Sequence, residues 1–180
     1  TYLVIYYVCR VLSTVFIDRA VSETYSNKYR TINPGIPADE KGREDTMTKK
    51  ELAIAYHDKK FNCAQAVACA FAKEVGADEK TLFRAAEGLG LGMGGMEGTC
   101  GALSGAILLA GMKNSDGNTE DPGTKASTYQ LSKQMVTSFQ QKTGSTVCKE
   151  LKGIESGKVL CSCPDCICHG VEVVEQVLGL

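Results

Sequence analysis

The chain has 180 residues, 43% of them hydrophobic, which suits one packed domain with an appendage. Its 20 Lys and Arg offset 21 Asp and Glu, so it lacks the basic face that would neutralise several phosphates. With no Trp and only 7% aromatic residues it also has few platforms for stacking bases, and these terms argue against a nucleic-acid partner.

The first 46 residues differ from the rest. Residues 1–17 (TYLVIYYVCRVLSTVFI) are rich in β-branched and aromatic side chains, with Arg10 near the middle. They fall short of the roughly 18 uncharged apolar residues of a membrane span. They also lack the charge pattern and cleavage site of a signal peptide. Residues 24–46 read as a polar linker punctuated by Asn33, Pro34, Gly35 and Pro37. Met47 then resembles a natural start, so 1–46 is read as an extension or linker and 47–180 as the Cys-rich domain. A membrane partner is not expected.

From Thr48 onward the apolar spacing is helical. Leu52, Ala55 and Tyr56 form one stripe, ending near Lys59 and Lys60. Residues 61–75 continue with Cys63, Val67, Ala70 and Phe71, and Gly76 is a C-terminal stop. Residues 78–87 predict a third helix with Leu82, Ala85 and Ala86 inward, followed by a glycine-rich loop at 88–98 (GLGLGMGGMEG). Thr99 to Met112 predicts a buried central helix. After a loop at 114–123, residues 124–141 predict an amphipathic helix carrying Tyr129, Leu131, Met135, Val136 and Phe139. A short turn holds Cys148 to Leu151, and the last helix is expected from Cys166 to Leu178. No strand is expected after residue 47. The predicted fold class is all-α, a small bundle of about five to seven helices with a glycine-rich loop.

Nine cysteines are too many for packing alone, and their odd number and helix-like settings do not fit a secreted disulfide scaffold. A reducing, cytoplasmic compartment is expected. Four of them share a local feature. Cys63 follows Asn62, Cys100 follows Thr99 and Cys166 follows Asp165, and Asn, Thr and Asp are preferred helix N-caps. Cys148 lies three residues after Ser145 and two after Thr146. Each is therefore expected in a first helical turn, where unpaired amides and the helix dipole favour a thiolate. Gln65, three residues after Asn62, supports a capping box.

The remaining candidates are weaker. The glycine-rich loop contains G-x-G-x-x-G spacing, but no strand precedes it and no P-loop lysine follows. Its glycines are expected to bring backbone close to the site, with Gly98, Thr99 and Gly101 turned toward a bound group. Tight packing of Gly101 and Gly105 is the alternative. Cys163-Pro164-Asp165-Cys166 is a C-x-x-C without the βαβ context of thiol oxidoreductases. Cys161 and Cys168 read as bystanders, spare ligands or resolving thiols, Cys69 as a buried apolar residue, and Cys9 lies in the extension. His169 is a candidate zinc ligand or a solvent-facing residue. His57 shows no partner, and no G-x-S-x-G elbow marks a hydrolase.

Cys63-Ala-Gln-Ala-Val, Gly98-Thr-Cys100-Gly101-Ala-Leu-Ser-Gly105, Gly144-Ser145 with Cys148-Lys-Glu-Leu151, and Cys163-x-x-Cys166 before an amphipathic helix together resemble the C_GCAxxG_C_C family. The resemblance spans roughly 47–180 and identifies small bacterial and archaeal proteins described as redox-active. It implies Cys63, Cys100, Cys148 and Cys166 as the signature set, which this chain extends with Cys161, Cys163 and Cys168. Four thiolates suit an iron–sulfur cluster for electron transfer or redox sensing. They equally suit metal-free thiol–disulfide chemistry, with Cys100 attacking and Cys63 or the Cys163–Cys166 pair resolving. A structural zinc site in an interaction domain is a third reading, and a helical interaction module a fourth. A redox protein is the expected partner, with a homo-oligomer allowed for. Whether the chain is an oxidoreductase or an electron carrier stays open at this level.

Overall fold

The computed structural model describes residues 47–180, so the reading of 1–46 falls outside the described residues. Thr48 caps helix α1 (Lys49–Asp58) through a capping box with Glu51. Asn62 does the same for α2 (Cys63–Ala70), accepting from the Ala64 and Gln65 N–H groups while Gln65 bonds back. Helix α3 (Glu79–Ala86) is capped by Asp78. There follow α4 (Gly101–Asn114), α5 (Lys125–Thr143), the short α6 (Cys148–Leu151) and α7 (Cys163–Leu178). The described residues are all-α, and their one β-type pairing is an isolated antiparallel bridge between Thr99 and Val147.

Helix α4 runs through the centre, packed against α2, α5 and α7. Its sequence is apolar all round, which suits a helix enclosed on several sides. Leu103 and Leu109 are buried with Phe71, Phe139, Met135, Ile167, Val171 and Val174. Small residues set the spacing. A Cβ placed on Gly105 would lie 2.5 Å from the Ala64 carbonyl oxygen, and one on Gly170 would lie 3.1 Å from that of Ala102. Gly105 therefore lets α4 lie directly on the backbone of α2.

Several boundaries differ from the sequence reading, each for a local reason. Helix α2 stops at Ala70, because the Phe71 and Ala72 amides switch to the carbonyls three residues back. The chain then turns with Phe71 buried and reaches Gly76 at φ +63°, the left-handed stop that glycine permits. Helix α4 begins at Gly101 rather than Thr99, because the bridge to Val147 holds Thr99 extended. Helix α7 begins three residues early, at Cys163. Ser162 caps it by accepting from the Asp165 N–H, and Pro164 fits the first turn.

His57, which showed no partner in the sequence, has its Nδ1 3.0 Å from the Phe61 carbonyl oxygen. No helix among the described residues is long and apolar enough to cross a membrane.

Candidate functional site

Two backbone segments build the floor of the cysteine region. The Cys100 N–H donates to the Thr146 carbonyl at 2.8 Å, and the Cys148 N–H donates to the Gly98 carbonyl at 3.0 Å. These bonds flank the Thr99–Val147 bridge and set Cys100 and Cys148 on the two rungs either side of it. Ser145 fixes the second segment by accepting from the Val147 N–H and bonding the Glu150 carboxylate. Cys148 does open α6, as expected, but that helix has only four residues and sums few peptide dipoles.

The glycine-rich loop takes an unusual form. Leu91, Gly92, Met93 and Gly94 have φ of 51°, 57°, 61° and 84°, a left-handed turn closed by the Gly94 N–H on the Gly90 carbonyl at 2.9 Å. Such a conformation costs about 1–2 kcal/mol for each non-glycine residue. Contacts hold it in place. A Cβ on Gly92 would sit 2.6 Å from the Cys148 Cβ, and one on Gly101 would sit 3.2 Å from the Gly90 Cα. The Gly98 N–H donates to Gly92 and its carbonyl accepts from Cys148. Gly98, Thr99 and Gly101 are thus placed by close backbone contact around Cys100 and Cys148.

The sulfurs of Cys100 and Cys166 meet. Cys100 is the N-cap of α4 rather than its first helical residue, and Cys166 lies three residues inside α7 rather than at its start. Their side chains hydrogen-bond to each other. This bond is the largest influence holding the Cys100 thiol below its usual range, against the opposing effect of burial. The Ala102 and Leu103 amides add to it from the first turn of α4, at longer range than a full capping bond. Cys166 moves the opposite way: bonded to Cys100 and to Cys161, and buried, it holds its proton strongly. The pair therefore titrates unequally: Cys100 is the sulfur that gives up its proton first, and Cys166 is the one that keeps it.

Cys161 belongs to this group, which the sequence reading had left undecided. Its side chain hydrogen-bonds Cys166, and the Cys166 sulfur lies 3.8 Å from the Cys161 carbonyl oxygen. The available signal was the Ser162 cap, which begins the helix at Cys163 and turns Cys166 back over Cys161. Cys63 is half-buried at the start of α2, beside the Ala64 amide that faces Gly101. Cys163, also half-buried, acts on Cys100 through its charge, which opposes the thiolate there. Burial pushes Cys168 up to about 11 and Cys69 to about 12, so both stay protonated near neutral pH. Cys69 is the apolar residue expected. His169 pairs with Glu172 at 3.1 Å.

Among the described residues, no three or more Cys, His, Asp or Glu side chains converge as a group that could hold a metal ion. The thiol interactions described above are pairwise, Cys166 with Cys100 and Cys166 with Cys161.

Residues 61–177 match the family model described as "Putative redox-active protein (C_GCAxxG_C_C)". Neither the curated proteins nor the solved structures gave a match.

Proposed function

This chain belongs to the C_GCAxxG_C_C family, and from that premise we propose that it is a thiol–disulfide redox protein in which Cys100 attacks and Cys166 resolves. The observation that supports this reading is the interacting Cys100–Cys166 pair, in which the Cys100 thiol is lowered and the Cys166 thiol raised from their usual range. The Cys100 thiolate attacks one sulfur of a partner disulfide, forming a mixed disulfide and expelling the other partner sulfur as a thiolate. Cys166 then gives its proton to that leaving thiolate and attacks the Cys100 sulfur. The Cys100–Cys166 bond forms, the second partner thiolate departs, and two electrons have passed from the protein to the partner.

Cys100 is only 5% exposed, so a partner reaches it after a local shift of backbone. The strained turn at Leu91–Met93, packed on Cys148 and Gly98, is the segment to move. On this reading Gly98, Thr99 and Gly101 set the close approach of that backbone, and a disulfide-bearing protein of a reducing compartment is the partner.

The second reading is an iron–sulfur cluster on Cys63, Cys100, Cys148 and Cys166, serving electron transfer or redox sensing. It draws on Cys100 and Cys148 flanking the Thr99–Val147 bridge, and structural zinc would use the same donors. Both gain less from the donor geometry described above.

The full chain, purified without oxygen and assayed for iron, sulfide, zinc and thiols, separates the readings. The thiol reading predicts colourless protein that loses two thiols when treated with oxidised glutathione. Iron with matching sulfide, and thiols that do not respond to glutathione, would overturn it.

A further inference from the structure

Building on the Cys100–Cys166 reading, we propose that Cys161 is a third redox thiol, which takes Cys166 from Cys100 and moves the disulfide to the edge of the exposed run 155–160. The Cys166 thiol interacts with those of both Cys100 and Cys161, and its sulfur lies 3.8 Å from the Cys161 carbonyl oxygen, so it stands between two cysteines rather than facing one. The backbone fixes this position. The Leu160 and Cys161 amides both donate to the Leu151 carbonyl, at 2.9 and 3.2 Å, anchoring Cys161 to the end of α6. On its other side the Ser162 cap holds the start of α7, so Cys161 and Cys166 share one rigid corner.

All three thiols of this row are buried, Cys100 at 5%, Cys166 at 2% and Cys161 at 8% exposure, and the ends differ in what adjoins them. Cys100 begins the buried central helix, whereas Cys161 directly follows the exposed run 155–160, in which Val159 and Leu160 expose 54% and 50% of their surface. The exchange therefore places the disulfide next to a surface segment, and a shift of that segment alone would open it.

The step is a thiol–disulfide exchange within one chain. Cys161 loses its proton to water and its thiolate attacks the Cys166 sulfur of the Cys100–Cys166 bond. The Cys161–Cys166 bond forms, the Cys100–Cys166 bond breaks, and Cys100 leaves as a thiolate. No external oxidant or reductant takes part, and the two oxidising equivalents stay in the protein. Cys100 is thereby restored while the chain remains oxidised.

The test is a disulfide map of the full-length chain after partial oxidation with oxidised glutathione, acid quenching and alkylation. Cleavage after Lys158 and before Asp165 separates Cys161 and Cys163 from Cys166 and Cys168. The wild type is expected to yield both Cys100–Cys166 and Cys161–Cys166 links. The second link should persist in Cys163→Ser and disappear in Cys161→Ser, leaving Cys100–Cys166 as the sole link and Cys100 closed to alkylation. Cys161→Ala should match Cys161→Ser, which separates loss of the thiol from a change in folding. A wild type that forms only Cys100–Cys166, or a second link that follows Cys163, would overturn the relay while leaving the Cys100–Cys166 reading intact. Absence of the Cys100–Cys166 link from the wild type and from Cys161→Ser would overturn both.

Discussion

Replacing Cys166 by Ala is expected to raise the pH at which Cys100 becomes reactive by about one to two units. A hydrogen bond to a charged group contributes about 1.5–3 kcal/mol, and each pKa unit corresponds to about 1.4 kcal/mol. The Cys166 thiol supplies the largest single influence lowering Cys100, and in its absence burial works toward the neutral form. Cys166→Ser separates the two roles of this residue. Its hydroxyl still donates to the Cys100 sulfur, so the pH profile should stay close to that of the wild type, yet no disulfide can form. Alkylation of Cys100 by iodoacetamide across pH, followed by peptide mass, reads the profile directly. If the Ala and Ser profiles coincide with the wild type, the hydrogen bond does not set the Cys100 thiolate.

The second large effect concerns the contact that brings α2 onto α4. Gly105→Ala should destabilise the domain by about 2 kcal/mol, the upper range of overpacking less the better helix propensity of Ala. The new Cβ would meet the Ala64 carbonyl oxygen at 2.5 Å and the Ala64 Cα at 3.1 Å. These are backbone atoms that no side-chain rotation can move, so the helices must separate. The expected fall in melting temperature is about 6–10 °C. Gly111→Ala is the matched control. It lies in the same helix, but its Cβ would meet open space, so this change should be neutral or stabilising by up to about 1 kcal/mol. Equal losses from both variants would mean that the Gly105–Ala64 contact does not limit the packing.

Much of this architecture was legible from local chemistry. Asn62 with Gln65 is a capping box whose partners lie three residues apart, and it forms as read; Thr48 with Glu51 forms another that the same spacing offered. Gly76 stops its segment through a left-handed φ, and the continuous apolar run after Cys100 is the buried central helix. Cys63 takes the first helical position that Asn62 predicts.

The errors arise where distant segments compete with local preference. Thr99 has a cap-like sequence, but Val147 pairs with it and delays the helix by one residue, making Cys100 the cap. Asp165 also reads as a cap, yet Ser162 takes that role and draws Asp165 into the first turn. That shift places Cys166 one turn deeper, between Cys100 and Cys161, a meeting that joins residues 66 positions apart in one direction and five in the other. The left-handed turn escaped for a different reason. Glycine spacing shows where φ can be positive, but Leu91 and Met93 join the turn where Met93 packs on Gly98 and Gly92 on Cys148, the latter a contact between segments far apart in sequence.

The most direct measurement is the rate at which the reduced full-length chain loses thiols to oxidised glutathione at pH 7, in the wild type and in Cys100→Ser. The account predicts that two thiols disappear from the wild type in one fast phase, and that this phase is absent from the variant. A Cys100→Ser chain that oxidises at the wild-type rate would contradict the claim that Cys100 is the attacking thiol.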